Sequence, residues 1–523
     1  MLTSDRRLLC DRRGRGSQMR FVPWRGWPLL AVLACTAGRQ TAHPGADVPW
    51  GADASAAPAE APLAPVVCTA VAHDIASWQA LATVSHPGDT ICLADGAYVG
   101  VHLAVTVSGT EAQPVVLTAE HPGQVVFSGP TQLAVGGAWA VLQGLRLQGA
   151  TTVDGSLIAL RNGNAWCNHC RLTESAIIDC DQGNGAASKW VGLYGQFNRV
   201  DHCVFSGKSN SGTLLVVWRT EPRADYDTID HNLFAHRPPA GANGNEAIRI
   251  GTGDQADTAS FTTVEDNLFE AVSGEAEIVS NKSGGNVYRG NTFRHCQGQL
   301  TLRNGSDCLV DANIFLADGL VDAGGIRVIG ARHRVINNYV EGVRTSAPSR
   351  GGIVLMSGEA NAAAGGYDLV QDAVVAFNTI VDCDQSLVLG ADNNPQAPKH
   401  VVLANNLIAG ARGAVVRLGL GLDAPLVAGN LFSGAPLGWT PTTGFAQVDP
   451  NLQRAADGLM RPAAGSPALN AAVATAPVAT DLDEQTRTGA LDVGADEVGA
   501  LGLTRRPLTR SDVGPRRWSA TVP

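Results

Sequence analysis

Along most of this chain, short β-branched runs that alternate apolar and polar residues end in one signature: Asn or Cys, any residue, then an apolar or aromatic residue. It stands at Cys203-Val-Phe, Asn232-Leu-Phe, Asn267-Leu-Phe, Asn291-Thr-Phe, Asn313-Ile-Phe, Asn338-Tyr-Val, Asn378-Thr-Ile, Asn406-Leu-Ile and Asn430-Leu-Phe. Successive intervals are 29, 35, 24, 22, 25, 40, 28 and 24 residues. A period of that size marks a solenoid. Two or three short strands per period, with no amphipathic helix between them, predict an all-β, single-domain parallel β-helix. The recurring Asn is suited to a tight turn, because it tolerates left-handed backbone angles and its amide can bond the same amide one coil away. Longer intervals mark loops inserted at coil corners, where a cleft can be walled.

The periodic pattern sets the partition. One β-helix domain is expected over 66–498, with VDPNLQ (448–453), GSPALN (465–470) and DVGADE (492–497) as its terminal cap. The tail 499–523, with five Arg and no period, is expected to be disordered. At the other end, Arg20 and Arg25 precede an apolar run from Trp27 to Ala34, so residues 1–35 read as an export signal. Leu33-Ala34-Cys35 also resembles a lipobox, so a lipoprotein lipidated at Cys35 stands beside a freely secreted form, and the expected location is periplasmic, outer-membrane or extracellular. Residues 36–65 form an Ala/Pro-rich linker.

Export makes disulfides relevant to the eleven cysteines. Cys68 and Cys92 are the favoured pair; Cys167-x-x-Cys170 has no second such pair, which disfavours zinc, and Cys180 and Cys203 are expected in the core. A net charge of -10 argues against a whole surface devoted to nucleic acid or anionic membrane, yet leaves room for a locally basic cleft and an anionic substrate. Only four lysines occur, so the one at Lys282 stands out.

Four segments concentrate polar residues on what should be consecutive coils: NGNEAIRIG (243–251), GEAEIVSNKS (274–283), LTLRNG (300–305) and GGIRVIG (324–330). Lys282 to Arg303 is 21 residues and Arg303 to Arg327 is 24, about one coil each, which predicts a stacked cationic ladder suited to a polyanion. Arg249 either extends it or pairs with Glu246 or Glu277. Glu275 and Glu277, two apart, are expected on one strand face with Asn245 on the preceding coil, an all-oxygen set that suits Ca²⁺. These parts fit β-elimination at a uronate: a neutral Lys282 removes the C5 proton, a cation offsets the carboxylate, and Arg303 assists the departing O4. His295 and His333 read as structural.

At these residues the chain resembles polysaccharide lyase family six, which holds chondroitinase B and many alginate lyases. The resemblance implies a right-handed parallel β-helix and calcium-assisted elimination. It also implies Lys282 as base, Arg303 as catalytic Arg, Asn245, Glu275 and Glu277 as calcium ligands, and Arg327 near the reacting sugar. Family members commonly carry His where this chain has Asn304, a substrate-contacting position. Alginate is the first substrate expected and dermatan sulfate the second, with a non-catalytic polysaccharide-binding β-helix as the contrasting class.

Overall fold

The computed structural model describes residues 65–182, 187–241, 243–441, 443–475, 477–499 and 502–518. The expected signal at 1–35, lipidation at Cys35 and all but the last residue of the 36–65 linker lie outside the described residues.

Each coil lays one strand on each of three parallel sheets. Thr263–Glu265 belongs to sheet 1, Leu268–Val272 to sheet 2 and Glu277–Lys282 to sheet 3, and the next coil repeats the order from Val287–Arg289. Sheet 1 has 14 strands in chain order. Sheets 2 and 3 are joined by one long strand, Val125–Ala138, which pairs with Gly96–Val99 at its start and His102–Ser108 at its end. This is the expected parallel β-helix.

The signature is read out directly. Its third residue points inward, so Phe205, Phe234, Phe269, Phe293 and Phe315 stack with ring centroids 4.9, 4.9, 4.5 and 4.5 Å apart. The asparagines form a continuous buried ladder. Asn267 Oδ1 accepts both the backbone N–H and the side-chain amide of Asn232, each at 3.0 Å, and the pattern repeats through Asn291, Asn313, Asn338, Asn378, Asn406 and Asn430. The left-handed residue is not the Asn, as expected, but the one before it: His231 (φ 53°), Asp266 (φ 50°), Ala312 (φ 54°) and Phe377 (φ 55°). The Asn amide thereby stays inside the turn, where its two bonds offset the roughly 1 kcal/mol strain of the preceding residue.

A nine-residue helix, Ile75–Thr83, not foreseen in the sequence, packs at the N-terminal end. Asp74 and Ser77 close a reciprocal capping box, and Trp78 is buried against Phe127. Cys68–Cys92 is a disulfide as favoured, Cys167 and Cys170 form a second, and Cys180 and Cys203 are free and buried. Among the described residues no helix is long and apolar enough to cross a membrane.

The C-terminal expectation needs correction. The segment after the last coil does not merely close an end: Leu459, Leu482 and Ala495 pack along the outer face of sheet 2 on Ile314, Tyr339, Val381 and Ala409. Residues 502–518, expected to be disordered, continue the same path, with Leu508, Val513 and Trp518 covering Ala176, Val204, Leu233 and Leu268. Arg510 Nε donates to Glu270 at 2.6 Å and Arg516 Nε to Glu174 at 3.0 Å. The reason lies in the middle position of the signature, Val204, Leu233, Leu268 and Ile314, which faces outward and is apolar, so that face requires cover.

Candidate active site

Sheet 3 is the face that carries the predicted chemistry. Register aligns Arg249 with Ser280, Ser280 with Thr301, and Thr301 with Arg327. Lys282 aligns with Asn304, after a register shift between Asn281 and Lys282. The expected ladder of Lys282, Arg303 and Arg327 is therefore not a single stack. Arg327 lies on the rung of Thr301, two residues before Arg303, so the spacing found adjacent coils but not the register within them.

Lys282 ends the strand Glu277–Lys282 and is half-buried, and among the described residues no hydrogen bond or ion pair ties its amine. Asn281 fixes the irregular step beneath it. Its amide donates to Ser283 O at 2.8 Å and Asn304 O at 2.7 Å, while its oxygen accepts from Tyr288 Oη and Asn286 Nδ2, both at 2.7 Å. The sequence pattern does not single out Asn281. Its one signal was a polar residue at an inward strand position two after Val279.

Arg303 and Asn304 share one anchor, the carbonyl of Gly366, at 2.7 Å from Arg303 Nη1 and 2.8 Å from Asn304 Nδ2. The Tyr367 ring lies 4.3 Å from the Arg303 guanidinium. Tyr367 also packs on Ile329, Val354, Met356, Val388 and Ala391, so the loop over 357–371 covers sheet 3 beyond the Arg303 rung. This loop fills the longest interval of the signature. Asn304 is buried and serves the loop, which makes it a support of Arg303 rather than an open contact surface.

Beside Lys282, carboxylate oxygens of Glu246, Glu275 and Glu277 lie within 4.8 Å of one another. Glu275 precedes the strand that starts at Glu277, so the two are not neighbours on one strand face as expected; a loop brings them together. Burial, then Glu246 and Glu277, push the Glu275 carboxyl up to about 8, with Lys282 pulling the other way. Arg237, fully buried, gives Nε to Asn245 O at 2.8 Å and Nη2 to Gly212 O at 2.7 Å, which fixes the turn carrying Asn245 and Glu246. Asn245 Oδ1 accepts from Gly212 N at 3.2 Å. Glu277 meets Arg327 in an ion pair and accepts from Ser280 Oγ at 2.5 Å. Glu246 Oε1 and Glu275 Oε1 are buried without a hydrogen-bond partner among the described residues. Buried carboxyl oxygens left unpartnered are costly. An all-oxygen donor set with two such atoms fits a hard cation. Glu246, which the sequence offers only as a partner for Arg249, joins the set.

Arg249 makes neither of the ion pairs considered for it; its guanidinium lies 5.5 Å from the Trp218 ring and its Nε is buried without a partner. His333 is buried between Cys308 N and Ile329 O and is structural, and His295 occupies a left-handed turn (φ 51°).

The family described as Chondroitinase B matches residues 76–419. No curated protein matches the chain. Among solved structures it is similar to the PL6 family alginate lyase AlyGC, at 30% identity and a TM-score of 0.76 over 87% of this chain; the chain spans 59% of that protein's length. It is also similar to a mannuronic-acid-specific family 6 lyase from human gut microbiota, at 31% identity and a TM-score of 0.66, covering 73% of this chain and 91% of that one. The PL6 lyase from Pseudopedobacter saltans, at 24% identity and a TM-score of 0.62 over 71% of this chain and 94% of its own, shares the fold. A match that begins in the N-terminal helix and runs through every coil of the cationic face shows that this chain belongs to the chondroitinase B family, polysaccharide lyase family six.

Proposed function

We propose that the protein cleaves a uronate-containing anionic polysaccharide by β-elimination, alginate first and dermatan sulfate second. The observation that carries this reading is the pairing, on one sheet face, of an untethered Lys282 with a braced Arg303 beside three converging carboxylates. In its neutral form Lys282 takes the C5 proton of the uronate. Arg303, held by Gly366 O and the Tyr367 ring, meets the charge that develops on the leaving O4. A guanidinium there acts as a stabiliser before it acts as a proton donor. Glu246, Glu275 and Glu277, with Asn245 against them, would hold Ca²⁺. Bound there, the ion would neutralise the substrate carboxylate and so acidify the adjacent C–H. Arg327 orients Glu277 and lies within reach of the same sugar. Alginate leads because AlyGC and the gut lyase are an alginate lyase and a mannuronic-acid-specific lyase. The two disulfides favour an oxidising compartment and support the reading of an exported protein.

The test is absorbance of unsaturated product from alginate and from dermatan sulfate, with calcium or with chelator. Turnover of alginate that chelator abolishes supports the whole reading, and turnover of dermatan sulfate alone moves the substrate. Oligosaccharide binding with no turnover of either polymer would point to the non-catalytic class.

A further inference from the structure

The outer row of sheet 3 that holds Lys282 continues toward the N-terminus. Leu193 pairs with Val217 and Ile250 with Asn281, so Tyr194, Trp218, Gly251 and Lys282 follow one another along the solenoid axis. The Tyr194 and Trp218 rings are stacked, 6.0 Å between centroids and 14° apart in plane. Arg161 lies 4.1 Å from the Tyr194 ring, and Lys189 and Arg249 lie 5.6 and 5.5 Å from Trp218.

Three features set this group apart from packing. Among the described residues, none of Arg161, Lys189 and Arg249 has a carboxylate within ion-pairing distance, although most arginines in this structure are so paired. Trp218 Nε1 and Arg249 Nε are buried without a hydrogen-bond partner. The backbone also makes room for the rings. A Cβ on Gly192 would lie 3.1 Å from Tyr194 Cε2 and 3.2 Å from Trp218 Nε1, and Gly251 leaves the rung between Trp218 and Lys282 without a side chain.

From this geometry we infer that Tyr194 and Trp218, flanked by Arg161, Lys189 and Arg249, form a platform for further uronate residues of the polymer, reached across the bare rung at Gly251. The inference rests on the proposed function above. With rungs about 4.8 Å apart, Trp218 lies about 10 Å and Tyr194 about 14 Å from the Lys282 rung, the reach of a few sugar rings. Ring faces take the apolar C–H faces of sugars, and unpaired cations take their carboxylates. The loop carrying Tyr367 covers the opposite side, so the chain extends toward Trp218.

The experiment measures binding of uronate oligomers, trimer to octamer, by titration calorimetry with full-length Lys282→Ala protein, alone and combined with Trp218→Ala, Trp218→Phe or Arg161→Ala. Active single variants are assayed on polymer and on the shortest cleaved oligomer. Affinity should rise with length, fall about tenfold for the longer oligomers in Trp218→Ala, and recover in Trp218→Phe. Exposed Arg161→Ala, which leaves the core intact, should lose about threefold on long oligomers only. The KM for polymer should rise more than that for the shortest oligomer. Length-dependent binding that Trp218→Ala removes supports the platform even in a protein without turnover, where the lyase reading alone would fall. Affinity that is flat with length, or unchanged in both Trp218→Ala and Arg161→Ala, overturns the platform and leaves the lyase reading standing.

Discussion

The outer faces of sheets 1 and 3 belong to the same coils, yet they treat stacked cations in opposite ways. On sheet 1 three of the four Arg are answered from the next coil, Arg171 by Asp201 at 2.5 Å, Arg199 by Asp230 at 2.5 Å and Arg289 by Asp311 at 3.2 Å, while Arg334 donates to Pro477 O at 2.8 Å. On and beside sheet 3, Arg161, Lys189, Arg249, Lys282 and Arg303 have no such partner among the described residues, and four of them rest on aromatic rings or a carbonyl instead, while Arg327 meets Glu277. Stacking brings like charges within one rung of each other, and a neighbouring carboxylate or a bound anion must relieve the repulsion. Sheet 1 is thus mainly a structural ladder, and sheet 3 leaves cations whose repulsion a bound anion would relieve. Sheet 2 shows the third outcome, an apolar outer face sealed by the C-terminal segment.

The largest contrast is expected from Lys282→Ala, which should cut the rate of product formation about 10²- to 10⁴-fold while leaving the melting temperature where it was. Glu246→Gln tests the cation site that adjoins it. Calcium affinity measured by calorimetry should fall about tenfold or more, since a carboxylate is lost from an all-oxygen set, and an unchanged affinity would return Glu246 to a structural role. Asp201→Asn on sheet 1 should do the reverse of Lys282→Ala. Removing one partner of this buried pair should cost about 3 kcal/mol of stability, read by thermal or denaturant melting, with the kcat of the folded protein retained.

The smallest effect is the pH dependence of sheet 1. Burial pushes the Asp201 and Asp230 carboxyls up, but Arg171 and His202 on the first, and Arg199 and His231 on the second, pull both below the usual carboxylate range. A depressed carboxylate stabilises the fold above its unfolded value, about 4, and loses that stabilisation as pH falls further. The melting temperature should therefore drop below about pH 4, less steeply in Asp201→Asn. An equal slope in the two proteins would remove Asp201 from the account.

What could be read in the sequence follows from what repeats. The Asn signature carries the coil number, the inward Phe stack and the Asn ladder, because every one of those features needs a residue at a fixed place in each turn. Lys282, Arg303, Glu275 and Glu277 were legible as a group for the same reason, since they fall on successive coils. What does not repeat was hidden. The register step at Asn281 separates Lys282 from the rung its spacing implied, and counting residues per coil cannot detect such a step. Gly366 and Tyr367 reach Arg303 across more than sixty residues, with only a long interval to announce them. Glu246 reads as a partner for Arg249, because sequence shows adjacency but not the direction of a buried carboxylate. The order of the tail leaves no trace in its own pattern, because its binding surface lies on other coils.

Lys282, on the open face of sheet 3, is the residue that would drive elimination. That role is tested most directly by digesting alginate with the parent protein and with Lys282→Ala in calcium, then determining the mass and ultraviolet absorbance of the oligosaccharides released. Parent products should absorb and be lighter by one water than hydrolysis products, and Lys282→Ala should release none. Saturated products, or unsaturated products formed equally well without Lys282, would contradict that role.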